Sequence, residues 1–196
     1  MAKRSAKKAV RRAQRGDAVQ RLRAALARCS KEELIEILSE CASADRAACR
    51  RITAHVELPA SPDELVRMTR EALAEATAFD ARDINRNFDY DAEAYREVQH
   101  NLQRLLALGE LRPAMELALE LMDQGSYQVE ASDEGLMADD SKTCLSPVLR
   151  VLRQCDLPAA EVRAWCTAMI KRDRVGFVCD QELRALRKRF KTSRSP

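Results

Sequence analysis

The stretch DAEAYREVQHNLQRLLALGELRPAMELALELMDQG, residues 91–125, decides the fold class. After Asp91, the residues Tyr95, Val98, Leu102, Leu105 and Leu106 recur at three- and four-residue steps, which lines them along one face of an α-helix. Gly109 then provides a left-handed stop. A second amphipathic run starts near Arg112-Pro113, where a first-turn proline is tolerated, and carries Ala114, Leu117, Ala118 and Leu121. Gly125 reads as its end. The segment is a helical hairpin, the clearest unit in the chain.

Similar punctuation extends in both directions. Upstream, Ser61-Pro62-Asp63-Glu64 joins a capping serine, a first-turn proline and two anions favoured by the helix dipole, and predicts a helix to about Ala78. Its inward residues are Leu65, Thr69, Ala72, Leu73 and Ala76. Before it, Leu58-Pro59-Ala60-Ser61-Pro62 breaks the pattern and marks a boundary. Asp17 to Gln20 and Ser30 to Glu33 have capping-box spacing, with Leu22, Leu26 and Cys29 and then Leu34, Leu38 and Cys41 as stripes. Ser43 reads as the cap of a third helix through Ala47, Ala48, Ile52 and Val56.

Between the main helices, residues 80–91 read as a loop with a short helical turn. Downstream, residues 126–140 read as a weak helix or acidic loop with Tyr127 and Met137 exposed. Helices then run over about 140–154 and 158–172, with Cys144, Val148, Val151, Leu152 and Cys155 inward on the first and Trp165, Cys166 and Met169 on the second. A last one carries Leu183, Leu186 and Phe190. The 31 Ala and 22 Leu of the 196 residues, against five Gly, favour helix over strand.

These signals predict an all-α protein of stacked helical hairpins, an irregular solenoid-like right-handed superhelix without a fixed repeat. The expected divisions are a basic N-terminal tail or helix extension (1–16), an N-terminal helical subdomain (17–58), a main helical-repeat domain (61–183) and a basic C-terminal tail (184–196).

Charge is segregated. Lys3, Arg4, Lys7, Lys8, Arg11, Arg12 and Arg15 precede any anion, and Arg184, Arg187, Lys188, Arg189, Lys191 and Arg194 follow the last one. All 31 carboxylates lie between, against the remaining 21 cations. Such basic ends attract phosphate backbones, or they remain solvated or dock on the protein's own acidic body. No apolar run reaches the length of a membrane span, and no apolar segment follows the basic N-terminus as a secretory signal requires. The seven cysteines are an odd number in a chain too large to need staples, so free thiols and a cytoplasmic location are expected.

Asn87 to Gly109, Ala114 to Met122 and Gly125 to Glu130 carry a resemblance. In them the chain resembles an uncharacterised bacterial all-helical family similar to the helical regions of SWIM zinc-finger proteins, over roughly Ser30 to Asp180. That resemblance implies a helical-repeat interaction region. The finger itself needs Cys-x-Cys and a later Cys-x-His, and neither occurs, which puts the family's nucleic-acid role in doubt.

Two stretches stand out as places for function. Four of the eight aromatics, Phe79, Phe88, Tyr90 and Tyr95, lie among Asp80, Asp83, Asp89 and Asp91. They read either as core plugs beside helix-capping aspartates or as a ligand or partner groove. Asn87-x-Asp89-x-Asp91 imitates the start of a calcium loop, yet Ala92 stands where the glycine belongs and Val98 where the bidentate glutamate belongs. The second stretch, residues 126–140, is a solvated acidic linker or a recognition surface for a basic peptide.

The cysteines suggest little chemistry. Cys29, Cys41, Cys49 and His55 lack zinc-knuckle spacing, and neither His55 nor His100 sits in a nucleophile signature. No catalytic residue, metal or cofactor is assigned. The expected function is a non-enzymatic protein-interaction or scaffold module, with Phe88, Asp89, Tyr90, Asp91, Tyr95, Tyr127, Asp133 and Glu134 meeting a protein partner. The alternative is nucleic-acid association, without sequence specificity, through Lys3, Arg4, Lys7, Lys8, Arg11, Arg12, Arg187, Lys188, Arg189 and Lys191.

Overall fold

A computed structural model describes residues 17–53, 56, 58–135 and 137–192. All regular structure among them is α-helical, with no strand, and the fold is all-α. Two compact units divide the chain, Met1–Val56 and Glu57–Pro196.

In the first unit, helical residues 17–26 (α1) precede α2 (Lys31–Ala44) and α3 (Arg46–Thr53). Ser30 caps α2 by accepting the Glu33 amide at 3.1 Å, and the Glu33 carboxylate accepts the Ser30 amide at 2.7 Å. The Ser43 cap is corrected. Helix α2 runs through that residue, whose hydroxyl donates to the Glu40 carbonyl, while the Asp45 carboxylate accepts the Ala47 amide at 2.8 Å and opens α3. No residue of α2 or α3 is buried, and Leu22, Ile35, Leu38 and Val56 are exposed. Of the stripes, Leu22, Leu38 and Cys41 are exposed while Leu26, Cys29, Leu34 and Ile52 are half-buried, because such short helices cover one another's apolar surface only in part.

In the second unit the elements are α4 (Pro62–Ala76), α5 (Ala81–Asn87), α6 (Ala92–Ala107), α7 (Leu111–Ala131), α8 (Ala138–Leu152), α9 (Ala159–Arg172) and α10 (Asp180–Thr192). Helix α6 packs against α4, α7 and α8, and α9 packs against α10. Helix α7 touches α4, α6, α8 and α9, which makes it the axis of the unit. The core runs through all of them, from Leu65, Leu73, Tyr95, Val98, Leu102 and Leu105 to Leu121, Leu145, Trp165, Met169 and Leu183.

Several boundaries differ from the sequence reading. Gly125 does not end α7, which continues to Ala131. It marks a close approach instead, since a Cβ there would lie 2.8 Å from the Ser141 hydroxyl of α8. Met137 is fully buried rather than exposed, and Val151 is exposed rather than inward. The expected last helix is α10, with Leu183 and Leu186 buried and Phe190 packed on the core; it takes in residues 184–192 of the stretch divided off as a tail, so the basic residues there ride on an anchored amphipathic helix.

Candidate functional site

Residues flagged in two separate stretches meet at one end of α7. Helix α5 is capped by Asp80, whose carboxylate accepts the Arg82 and Asp83 amides, and it ends at Phe88 in left-handed backbone with φ of 54°. The Phe88 amide donates to the Ile84 carbonyl and the Asp89 amide to the Asp83 carbonyl, a helix ending in which glycine is the usual left-handed residue. From the α7–α8 loop, the Asp133 amide donates to Asn85 Oδ1 at 3.0 Å. The Tyr90 hydroxyl donates to Asp140 Oδ2 at 2.6 Å. These two bonds lay the end of α5 and Tyr90 beside residues 133–140.

Beneath this surface lies a buried polar network. Tyr95 stacks edge-on against Tyr90, with ring centroids 6.3 Å apart, and its hydroxyl donates to Gln128 Oε1 at 2.7 Å. Gln128 Nε2 donates to the carbonyls of Ala76 and Ala78 at 3.0 and 2.9 Å. Those carbonyls end α4, which has no glycine to close it, so a side chain of α7 satisfies groups that a helix terminus leaves open. Ser126 does the same for α9 by donating to the Arg172 carbonyl at 3.0 Å. The Cys144 thiol donates to the Tyr95 carbonyl at 3.1 Å.

Burial, aided by the Asp140 carboxylate, pushes the Tyr90 phenol up to about 12. Burial also raises Tyr95, and it pushes the thiols of Cys144 and Cys179 up to about 12 and that of Cys166 to about 11. Thiols raised in this way are poor nucleophiles. Among the described residues no group of three or more His, Cys, Asp or Glu is placed to hold a metal ion. No helix among them is long and apolar enough to cross a membrane.

The eight residues expected to meet a partner fall into three groups. Phe88, Asp89, Tyr127, Asp133 and Glu134 are exposed, with Phe88 at 56% and Tyr127 at 46%. Tyr90 and Asp91 are half-buried, and the Asp91 carboxylate accepts the Ala94 amide as the cap of α6. Tyr95 is corrected: at 1% exposure it is a core plug, because only there can its hydroxyl reach Gln128.

On the nucleic-acid side, Lys3, Arg4, Lys7, Lys8, Arg11 and Arg12 lie outside the described residues, as does the side chain of Lys191. Arg187 is half-buried on α10, while Lys188 and Arg189 are exposed. His55, weighed as a zinc ligand, also lies outside the described residues.

Sequence reasoning missed Asp123 and Arg174. Tyr127 lies edge-on to Phe79, at 6.4 Å between centroids, and under the Arg174 guanidinium at 5.0 Å. Asp123, Tyr127 and Glu130 share a helical spacing that becomes visible only once α7 is continued past Gly125. Along α7 runs a groove of about 310 Å³, lined by Ala74, Thr77, Asp123, Gln124, Tyr127 and Arg174. A second one, of about 320 Å³ and more apolar, lies between α7 and α9 over Met115, Leu119 and Trp165. No family model, curated protein or solved structure matches the chain.

Proposed function

We propose that this chain is a non-enzymatic, all-helical interaction module that docks another protein on the aromatic and acidic end of its larger unit. The observation behind this reading is Phe88, an aromatic residue exposed at 56% in left-handed backbone. Stability alone favours glycine there, since a side chain in that conformation costs about 1 kcal/mol and half-exposed apolar surface repays little of it. Asp89 follows it in the chain and the loop of Asp133 and Glu134 is tied to α5 through Asn85, all three acids being exposed, and residues 126–140 contain five carboxylates and no cation. An exposed ring with an acidic rim suits a partner that offers an apolar pocket edged by basic groups.

Phe88→Gly separates this role from packing. The variant is expected to melt at or slightly above the parent temperature, because it relieves the left-handed strain, and to lose a protein partner that the parent retains in crosslinked co-purification. Loss of about 2 kcal/mol or more of stability, with capture by the folded fraction unchanged, would mark Phe88 as packing. Retention of nucleic acid instead of protein, falling steeply with salt and vanishing when residues 1–15 and 184–196 are removed, would favour the basic ends as the working surface.

A further inference from the structure

We infer that the groove between α4, α7 and the segment after α9 is a seat for a guanidinium side chain of the partner, held in the unbound chain by Arg174. This deepens the docking reading and rests on it. One face of α7 presents Asp123, Tyr127 and Glu130 at i, i+4 and i+7, so an aromatic ring stands between two carboxylates. Arg174 lies over that ring with its guanidinium carbon 5.0 Å from the centroid, within the range of a cation–π contact. The seat thus already displays the ligand chemistry it accommodates.

Arg174 is a loose occupant. Its nitrogens stop 3.9 Å from Asp123 and 3.6 Å from Glu130, beyond hydrogen-bond length, with the side chains half-exposed. Elsewhere on α7 the arginine pairs are tight: Arg70 meets Glu120 at 2.9 Å and Arg112 meets Glu161 at 2.8 Å, each through two guanidinium nitrogens. Two carboxylates against one cation leave the seat with a net negative charge. The groove of about 310 Å³ is open beside Arg174, so a second long side chain can enter without displacing a helix. A flat ring flanked by acceptors favours a planar guanidinium over a compact ammonium, because the guanidinium stacks and bonds in the same plane.

The test is a titration of the full chain with N-acetyl-arginine amide, followed through the backbone amide resonances of Gln124, Tyr127 and Glu130. The neutral citrulline analogue, nearly identical in shape, and the lysine analogue serve as comparisons. Saturable shifts are expected with arginine, with citrulline weaker by about tenfold and lysine weaker than arginine. Arg174→Ala should tighten binding by about threefold, the worth of a partly exposed cation–π contact released from competition.

Tyr127→Phe, which keeps the ring face, should bind as the parent does, while Asp123→Asn combined with Glu130→Gln should lose about tenfold with an unchanged melting temperature. Absence of saturable shifts, equal binding of citrulline, or unchanged or weaker binding in Arg174→Ala overturns the seat. Failure of the probe while Phe88→Gly still abolishes partner capture overturns the seat alone. If capture proves insensitive to Phe88 while arginine still saturates these amides, the docking surface around Phe88 falls and the seat stands.

Discussion

At Gly125 a single missing side chain sets how closely two helices approach. Alanine is normally the better helix former by about 1 kcal/mol, yet here its methyl would lie 2.8 Å from the Ser141 hydroxyl. Gly125→Ala is therefore expected to destabilise the protein by about 1–3 kcal/mol through overpacking. Adding Ser141→Ala removes the offending oxygen and leaves the Ser141 Cβ at 3.7 Å, so the double variant should regain the parent's stability or exceed it. Urea unfolding of the four proteins in this cycle gives the answer, and additive losses would rule out the clash.

Tyr90 makes a residue-scale prediction about alkali. A phenol whose pKa is higher in the folded than in the unfolded chain holds its proton more tightly in the native state. Its contribution is complete below about pH 10 and is lost as the pH rises through the folded value of about 12. Cys144 and Cys179, also pushed up to about 12, widen the window of loss down to near pH 9. Urea midpoints measured from pH 8 to 12 should fall, with a shallower upper part in Tyr90→Phe. An equally steep fall in that variant would clear Tyr90.

Among the elements, α7 organises its neighbours both by its buried apolar face and by the polar groups it places at the ends of α4 and α9. Gln128 closes α4 and holds Tyr95, so Gln128→Leu takes the donor from the Ala76 and Ala78 carbonyls and leaves the Tyr95 hydroxyl only its long 3.5 Å bond with Ser141. Each orphan costs about 1–3 kcal/mol, and a thermal melt should show a loss among the largest of any single substitution here. Tyr95→Phe in the same chain should recover the part due to the hydroxyl. No recovery would mean that the Tyr95 bond carries little weight.

This is also where the sequence stopped being legible. The inward faces of α4 and α6 could be read because Leu65, Thr69, Leu73, Val98 and Leu102 follow a local 3.6-residue period. The continuation of α7 could not, because its reasons lie on other helices: Gly125 answers to Ser141, Ser126 to Arg172 and Gln128 to Ala76 and Ala78. The meeting of the end of α5 and Tyr90 with residues 133–140 is equally non-local, so both stretches were visible as unusual and neither as adjacent. In the first unit the period of Leu26, Cys29, Leu34 and Ile52 shows which residues share a face, and their half-burial shows that the face is covered only in part.

On the scale of the whole molecule, all the buried residues described lie between Leu65 and Leu186. A fragment of residues 58–196 carries them all and is expected to unfold in one cooperative transition. The peptide 17–56 is expected to show weak helicity without one, because α2 has 14 residues and α3 eight, near or below the length at which isolated helices persist in water. Circular dichroism of the two pieces checks this. A cooperative melt of the short piece, or a non-cooperative one of the long piece, would contradict the division.

Trp165, the only tryptophan in the chain, is buried and donates its indole N–H to the Met115 carbonyl at 2.9 Å. Its position gives the protein a built-in optical reporter of a single seam, the one between α7 and α9. Emission should be blue-shifted in the native state and move to the red when that seam opens to water, while loss of ellipticity at 222 nm follows every helix in both units. Recorded on one sample, the two signals distinguish melting of the larger unit from fraying of the smaller one, with no label attached and no residue changed.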